Sequence, residues 1–409
     1  MRDLFNTKIR IALPAMLTIQ SFGTMCSFAG AIVAVEASAS FGVKSSNIGL
    51  FTAVLYIAGM LVGLSTGSLL ARYGVIRVSQ FSLMSGALGL VLAGSIASWP
   101  VALVAAVLLG IGTGTLNPAG SRILARHSPP IWQPFVFSVK QTGTPMGGML
   151  AGLLLPPLMA LYDWRIALLI LAIIPILTLF GLQTVRNQLD DDRDPNAPIS
   201  LSGFADSLRV IVTSKPLMTL AVAGFLCTFT QMSLLSFTVI YLVEAHGQST
   251  ELAGGVFAII HGSAIPARIA WGAIAGRFIS SWILLGLIAL LMSAGIFALS
   301  AFSSDWPFWV TALVAILLGV STNGVLGLIL SEFARLAPPN KVGEAAGGGQ
   351  FFLFFGIVSG PPVFGSIVEF GGGYDIAFYT IAAVSFAAGV YLLLTVQRSR
   401  VSVEVRRTG

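Results

Sequence analysis

Apolar side chains fall along this chain in twelve long runs separated by short polar breaks. About 20 consecutive apolar residues cross the hydrocarbon of a bilayer as a helix, because in lipid the backbone must satisfy its own hydrogen bonds. The runs predict helices at 11–36, 47–71, 77–98, 101–125, 134–160 and 166–185, and, after a polar stretch, at 217–243, 252–275, 281–302, 307–333, 343–368 and 375–396. The first run is too long, and too polar at its far end, for a cleaved signal peptide, and it counts as the first span.

Composition agrees. Charged residues make up 9% of the 409 and hydrophobic ones 56%, against about 25% charged in a soluble domain. An aqueous surface cannot be built from this material. The few charges also carry direction, because Lys and Arg concentrate in cytoplasmic loops. With the N-terminus in the cytoplasm, eighteen of the 22 Lys and Arg fall on that side, and only Lys44 and Arg165 fall outside. Both termini are therefore expected in the cytoplasm, most simply in a bacterial inner membrane. The net charge of +6 belongs to loops beside anionic lipid and gives no reason to expect nucleic acid. Cys26 and Cys227 both sit in apolar runs and suggest neither a disulfide nor a metal site.

The chain repeats itself. Residues 108–130 align without gaps on 317–339, 209 positions later, with eight of 23 positions identical; at the same offset Gln141 meets Gln350. Val35-Glu36-Ala37 recurs as Val243-Glu244-Ala245, and Gly67…Arg72 as Gly272…Arg277. Duplicated halves of six spans each are a transporter architecture, with the solute site at the repeat interface. The division expected is an N-terminal six-helix bundle (1–186), a cytoplasmic linker (187–215), a C-terminal six-helix bundle (216–397) and a basic cytoplasmic tail (398–409). The acidic join Asp190-Asp191-Asp192-Arg193-Asp194-Pro195 reads as a flexible or partly helical connection.

At this point the chain resembles the major facilitator superfamily of secondary transporters over nearly its whole length. The family's loop after the second helix reads Gly-x-Leu-x-Asp-Arg-x-Gly. Gly67-Ser68-Leu69-Leu70-Ala71-Arg72-Tyr73-Gly74 matches it except at the aspartate, which is Ala71. The resemblance implies an all-α membrane fold of two pseudo-symmetric six-helix bundles. It also implies a conformational latch built from Gly67, Arg72, Gly74 and Arg77, with Glu344 as the acid in reach and the loop's own carboxylate missing. The family's antiporter pattern, Gly-Pro-x-x-Gly-Gly, is only approximated by Gly143-Thr144-Pro145-Met146-Gly147-Gly148, which slightly disfavours drug/proton exchange.

No Walker A pattern, metal-ligand cluster or Ser/His/Asp set is visible, so neither ATP, a cofactor, a metal nor an enzymatic activity is expected. Glu36, Glu244, Glu251, Glu332, Glu344 and Glu369 all lie near predicted helix ends, where charge is cheap. Lys140, His261 and Arg268 lie deeper. Lys140 and Arg268 either hold a substrate anion or snorkel toward cytoplasmic water. His261, two turns before Arg268, either carries a coupled proton or serves as an interhelical hydrogen-bond partner. Gln141, Gln350, Asn117, Asn323, Gln20 and Gln231 are further mid-span polar groups, each a candidate solute contact or a bond between helices.

Arg268-x3-Gly272 is similar to the eighth-helix arginine of family members that carry monocarboxylates and oxalate. Two departures mark the likeness: Ala264 stands where monocarboxylate carriers have an aspartate, and the eleventh helix has no lysine. The function expected is alternating-access transport of a small organic anion, a carboxylate, with proton linkage, by a monomer. The alternative is efflux of amphipathic or drug-like compounds, which would call for an acidic residue facing the cavity. A receptor or scaffold would need an appended soluble domain, and no loop is long enough.

Overall fold

The computed structural model describes residues 7–129, 132–197, 204–275, 278–338 and 341–408. Helix α1 (Thr7–Phe41) forms the first span, a 3₁₀ turn leads into α2 (Ile48–Tyr73), and α3 (Val75–Ser95) follows. The fourth span is two helices, α4 (Trp99–Gly114) and α5 (Leu116–His127), and so is the fifth, α6 (Gln133–Gln141) and α7 (Gly143–Leu161). α8 (Trp164–Leu182) completes the first six. The short α9 (Arg186–Leu189) and α10 (Phe204–Thr213) occupy the connection. α11 (Lys215–Ile240) ends in a π turn at Tyr241–Ala245, and α12 (Thr250–Ile274) and α13 (Ser281–Ser300) follow. The tenth span is again divided, into α14 (Phe308–Thr322) and α15 (Val325–Leu336), before α16 (Val342–Phe370) and α17 (Tyr374–Thr408).

Among the described residues twelve helical segments are long and apolar enough to cross a membrane, and each coincides with one predicted run. Large apolar side chains point outward along them: Phe81, Leu177, Phe180 and Phe297 are each at least 60% exposed, a surface suited to lipid and not to water. The all-α fold matches the one expected. α17 continues through the segment predicted as a tail. Gly276 and Arg277, the second copy of the loop motif, lie outside the described residues, as does Arg2.

The divided spans have local causes. Pro118 has no N–H to give the carbonyl of Gly114, where α4 ends, and Pro145 none for that of Gln141, where α6 ends. The tenth span contains no proline at its break. It yields at Asn323-Gly324, a pair that favours turns over helix. At the 209-residue offset of the repeat, Thr115 falls on Gly324, so the fourth span of each half is broken at the same place.

The helices gather into two compact units. The first holds residues 1–202 together with 236–265; the second holds 203–235 and 266–409. In the first, the 236–265 segment is tied to the early spans. Thr250 donates to the Glu36 carboxylate at 2.9 Å, Ser236 and Thr52 share a hydroxyl contact of 3.4 Å, and α7 meets α12 where Gly152 faces the Gly254 carbonyl. The join lies on this unit too: Lys8 and Arg126 both bond Asp191, at 2.6 and 2.7 Å, and Arg122 bonds Asp192 at 3.0 Å. In the second unit α10 packs on α16, with the Ser207 carbonyl against Gly348.

Candidate functional site

Two buried cations each stand beside a broken span. In the first unit Lys140, in the last turn of α6, is 1% exposed and donates from Nζ to Asn117 Oδ1 at 2.8 Å. Asn117 lies in the first turn of α5, just past the Thr115 break. The lysine shaft crosses Gly120, one turn further along α5, where any Cβ would lie 2.4 Å from Lys140 Cε. Gln141 follows, half-buried at the end of α6. Near the neighbouring break at Thr142, the buried Gln20 of α1 donates to Thr144 Oγ1 at 3.1 Å.

In the second unit Arg268 of α12 is 7% exposed and donates from Nε to the main-chain oxygen of Asn323 at 3.0 Å. The last carbonyls of a helix have no partner within it, and here α12 supplies two: the Trp271 indole N–H also reaches the Val320 carbonyl, at 2.8 Å. Gln231 of α11 donates to Asn323 Oδ1 at 3.3 Å, and the Asn323 amide reaches Thr322 Oγ1 at 3.3 Å. Arg268, Gln231 and Asn323 thus form one cluster. Gln350 is half-buried on α16, next to Gly349, which packs on the Phe333 ring of α15.

His261 belongs to the first unit and is fully buried. Its ring lies between Phe28 of α1 and Phe257 of its own helix, with centroids 4.7 and 4.5 Å away. Gly148 of α7 closes the niche, since a Cβ there would stand 2.5 Å from the imidazole. These two rings and the glycine pack tightly against the imidazole.

Of the residues expected to form a latch, Gly74 and Arg77 meet an acid from elsewhere in the chain, Asp190. Gly74 takes φ +90°, a conformation available mainly to glycine, and starts α3. Asp190 accepts from the Ile76 N–H at 2.6 Å and the Arg77 N–H at 3.1 Å, so it caps α3. Burial pushes its carboxyl above the usual value, against the pull of those two amides. Asp191 is held below the usual carboxylate range, first by the hydrogen bond from Lys8. The Asp194 N–H donates to the Ala71 carbonyl at 2.8 Å. Arg72 covers the Tyr73 ring at 5.7 Å, Arg77 Nη1 bonds Gln80 at 3.1 Å, and Gly67 is exposed on α2. Glu344 is half-buried in the first turn of α16, in the second unit.

Comparison with known proteins fits this architecture: the family model of the Major Facilitator Superfamily matches residues 17–347. The chain belongs to the major facilitator superfamily. This superfamily member is 26% identical, over 261 residues, to an uncharacterized MFS-type transporter of Mycobacterium tuberculosis, a match covering 63% of the chain and 57% of that relative's length. It is 21% identical over 372 residues to the hexuronate transporter of Bacillus subtilis, with 86% of each covered. Among solved structures it is similar to a bacterial homolog of the human lysosomal transporter Spinster. In that protein's inward-facing, occupied conformation the TM-score is 0.70 at 17% identity, over 95% of both chains. The unoccupied form gives 0.70 at 16%. These likenesses show the superfamily fold.

Sequence reasoning missed Asp190 as a cap, Trp271 as a partner of the tenth span, and the breaks themselves. Pro118, Pro145 and Asn323-Gly324 were visible signals for the breaks. Nothing in the sequence announced the cap, which comes from 114 residues away.

Proposed function

We propose that this superfamily member is a secondary transporter that moves a small organic anion, a carboxylate, across a bacterial inner membrane by alternating access. The observation that carries the proposal is Arg268: a guanidinium 7% exposed in a span, bonded through Nε to a carbonyl at a helix break. Burying such a charge costs several kcal/mol, and a cation kept there at that cost is a functional candidate by default. Lys140, 1% exposed beside the equivalent break of the other half, is a second such cation. Each break also starts a new helix, whose N-terminal partial charge favours an anion. Gln231 and Asn117 are the polar groups that already touch these clusters, and Gln141 and Gln350 complete the proposed set. The Bacillus subtilis relative, named for hexuronates, is named for an acidic sugar.

Proton linkage is proposed at His261, two helical turns before Arg268 on α12. The termini are assigned to the cytoplasm from the Lys/Arg bias, with Gly67, Arg72, Gly74, Arg77 and Glu344 controlling closure on that side. A monomer is part of the same reading.

The test is a thermal-shift screen of the purified protein with hexuronates, short mono- and dicarboxylates, inorganic anions and amphipathic cations. Stabilisation by carboxylates, lost in Arg268→Ala, supports the anion reading. Stabilisation by amphipathic cations alone overturns it in favour of efflux of such compounds.

A further inference from the structure

We infer that the Asn323-Gly324 break in the tenth span is a hinge held shut by Arg268 and Trp271, so that an anion drawing on Arg268 releases α15. The inference rests on the anion reading for its trigger, but the hinge itself rests on geometry within one compact unit. α14 ends at Thr322 and α15 starts at Val325, so the residues between them lie outside both helices. Two main-chain oxygens near the end of α14 are taken by α12: Val320 by the Trp271 indole at 2.8 Å and Asn323 by Arg268 Nε at 3.0 Å.

The donors lie three residues apart on α12, and so do the acceptors on the tenth span, so each pair sits within one turn. Gly324 lets the indole lie against the backbone; a Cβ there would stand 2.4 Å from Trp271 Cδ1. Asn323 is fixed from a third direction by Gln231 of α11. Ordinary α-helix needs no such stitching, because each carbonyl finds its partner four residues on. The structure shows the stitched state; the released state is the one we infer.

One of the stitches is the same guanidinium proposed to bind the anion. A carboxylate that engages Arg268 in its bidentate geometry reorients the group and competes with the Asn323 carbonyl for it. Trp271 touches the break and not the anion, and it acts as a positioning residue. α15 is the lever. Its far end is anchored on α13 through Trp282, whose indole donates to Glu332 at 3.0 Å.

The hinge is tested without any ligand by spin labels at Leu313 and Ala334, both exposed, in a chain with Cys26 and Cys227 replaced by Ala. The labels stand about 31 Å apart along an unbroken axis. The original sequence should give one narrow distance distribution. Trp271→Phe keeps the ring and removes the donor, and it should broaden the distribution, as should Arg268→Ala. Arg268→Lys keeps a donor and should broaden it less; Ile269→Ala, on an exposed position of the same helix, should leave it unchanged. Narrow distributions in both Trp271→Phe and Arg268→Ala overturn the hinge.

The trigger is tested separately in proteoliposomes with D-glucuronate. Trp271→Phe should lower maximal turnover roughly three- to tenfold, the effect of one hydrogen bond, at unchanged half-saturation. Changed half-saturation with unchanged turnover overturns the coupling. Arg268→Ala binding D-glucuronate as well as the parent protein overturns the anion reading and leaves the hinge to the distance data.

Discussion

Gly120 leaves room for the Lys140 shaft on its way to Asn117. Gly120→Ala would push Lys140 Cε, 2.4 Å from the new methyl, and lift Nζ from Asn117. Because the obstructing atom is the end of a flexible chain, the protein should fold. If Lys140 holds part of the proposed anion, carboxylate affinity should fall, as an isothermal titration of the variant would show. Gly148→Ala differs, because its methyl meets a ring wedged between Phe28 and Phe257. Overpacking of that kind costs about 1–3 kcal/mol and should appear as a lowered melting temperature in detergent. His261→Gln separates the two roles of the imidazole: a proton carrier alters the pH profile of transport, whereas a packing group alters only stability. Arg268, Lys140 and His261 were legible as buried charge because ionisable residues stand out in apolar runs. What they touch was not, since that depends on which helices meet.

Among the elements, the acidic join is tied to several others. Its composition suggested a flexible or partly helical connection; in the structure Asp190, Asp191 and Asp192 clasp α3 and three basic side chains from the first and fourth spans. The family's loop acid is replaced by Ala71, and the Ala71 carbonyl takes the Asp194 N–H. Restoring the acid by Ala71→Asp therefore adds a carboxylate beside this acidic segment and should loosen it. Faster tryptic cleavage after the exposed Arg193 would show this, and unchanged cleavage would count against the clasp. The clasp is also pH-dependent. Asp191 titrates below its ordinary value near 3.8, so its contribution is complete above that value and fades as pH falls through the lower folded one. As an exposed pair with Lys8 it contributes about 0.2–1 kcal/mol. The protection of the 187–197 amides relative to their intrinsic exchange rates should be high at neutral pH and should start to fall only on the acid side of 3.8. The twelve spans were legible because length and hydropathy alone fix them. The breaks within them were not read, although Pro118, Pro145 and Asn323-Gly324 mark them, because each interrupted run is still long enough to cross the membrane as one span.

At the scale of the whole molecule, the Lys/Arg bias assigns both termini and the join to the cytoplasm. A cysteine at position 192 in a Cys-free variant should resist impermeant thiol reagents added outside intact cells; efficient labelling there would reverse the orientation. The sequence repeat predicts two six-helix bundles; in the structure residues 236–265 pack with the first spans. Periodicity and repeats report what each half is made of, not which half each segment packs on. The matched breaks at Thr115 and Gly324 carry a statement about ancestry. An interruption shared at the repeat offset is most simply inherited from a single six-span chain that was broken there before it doubled. The cations have another history. At the offsets of the repeat, Lys140 stands opposite Gly349 and Arg268 opposite Gly63. Each half thus bends at the same place but carries its buried cation on a different span, so the doubling that set the bends did not set the charges, and the two halves are chemically unlike at Lys140 and Arg268.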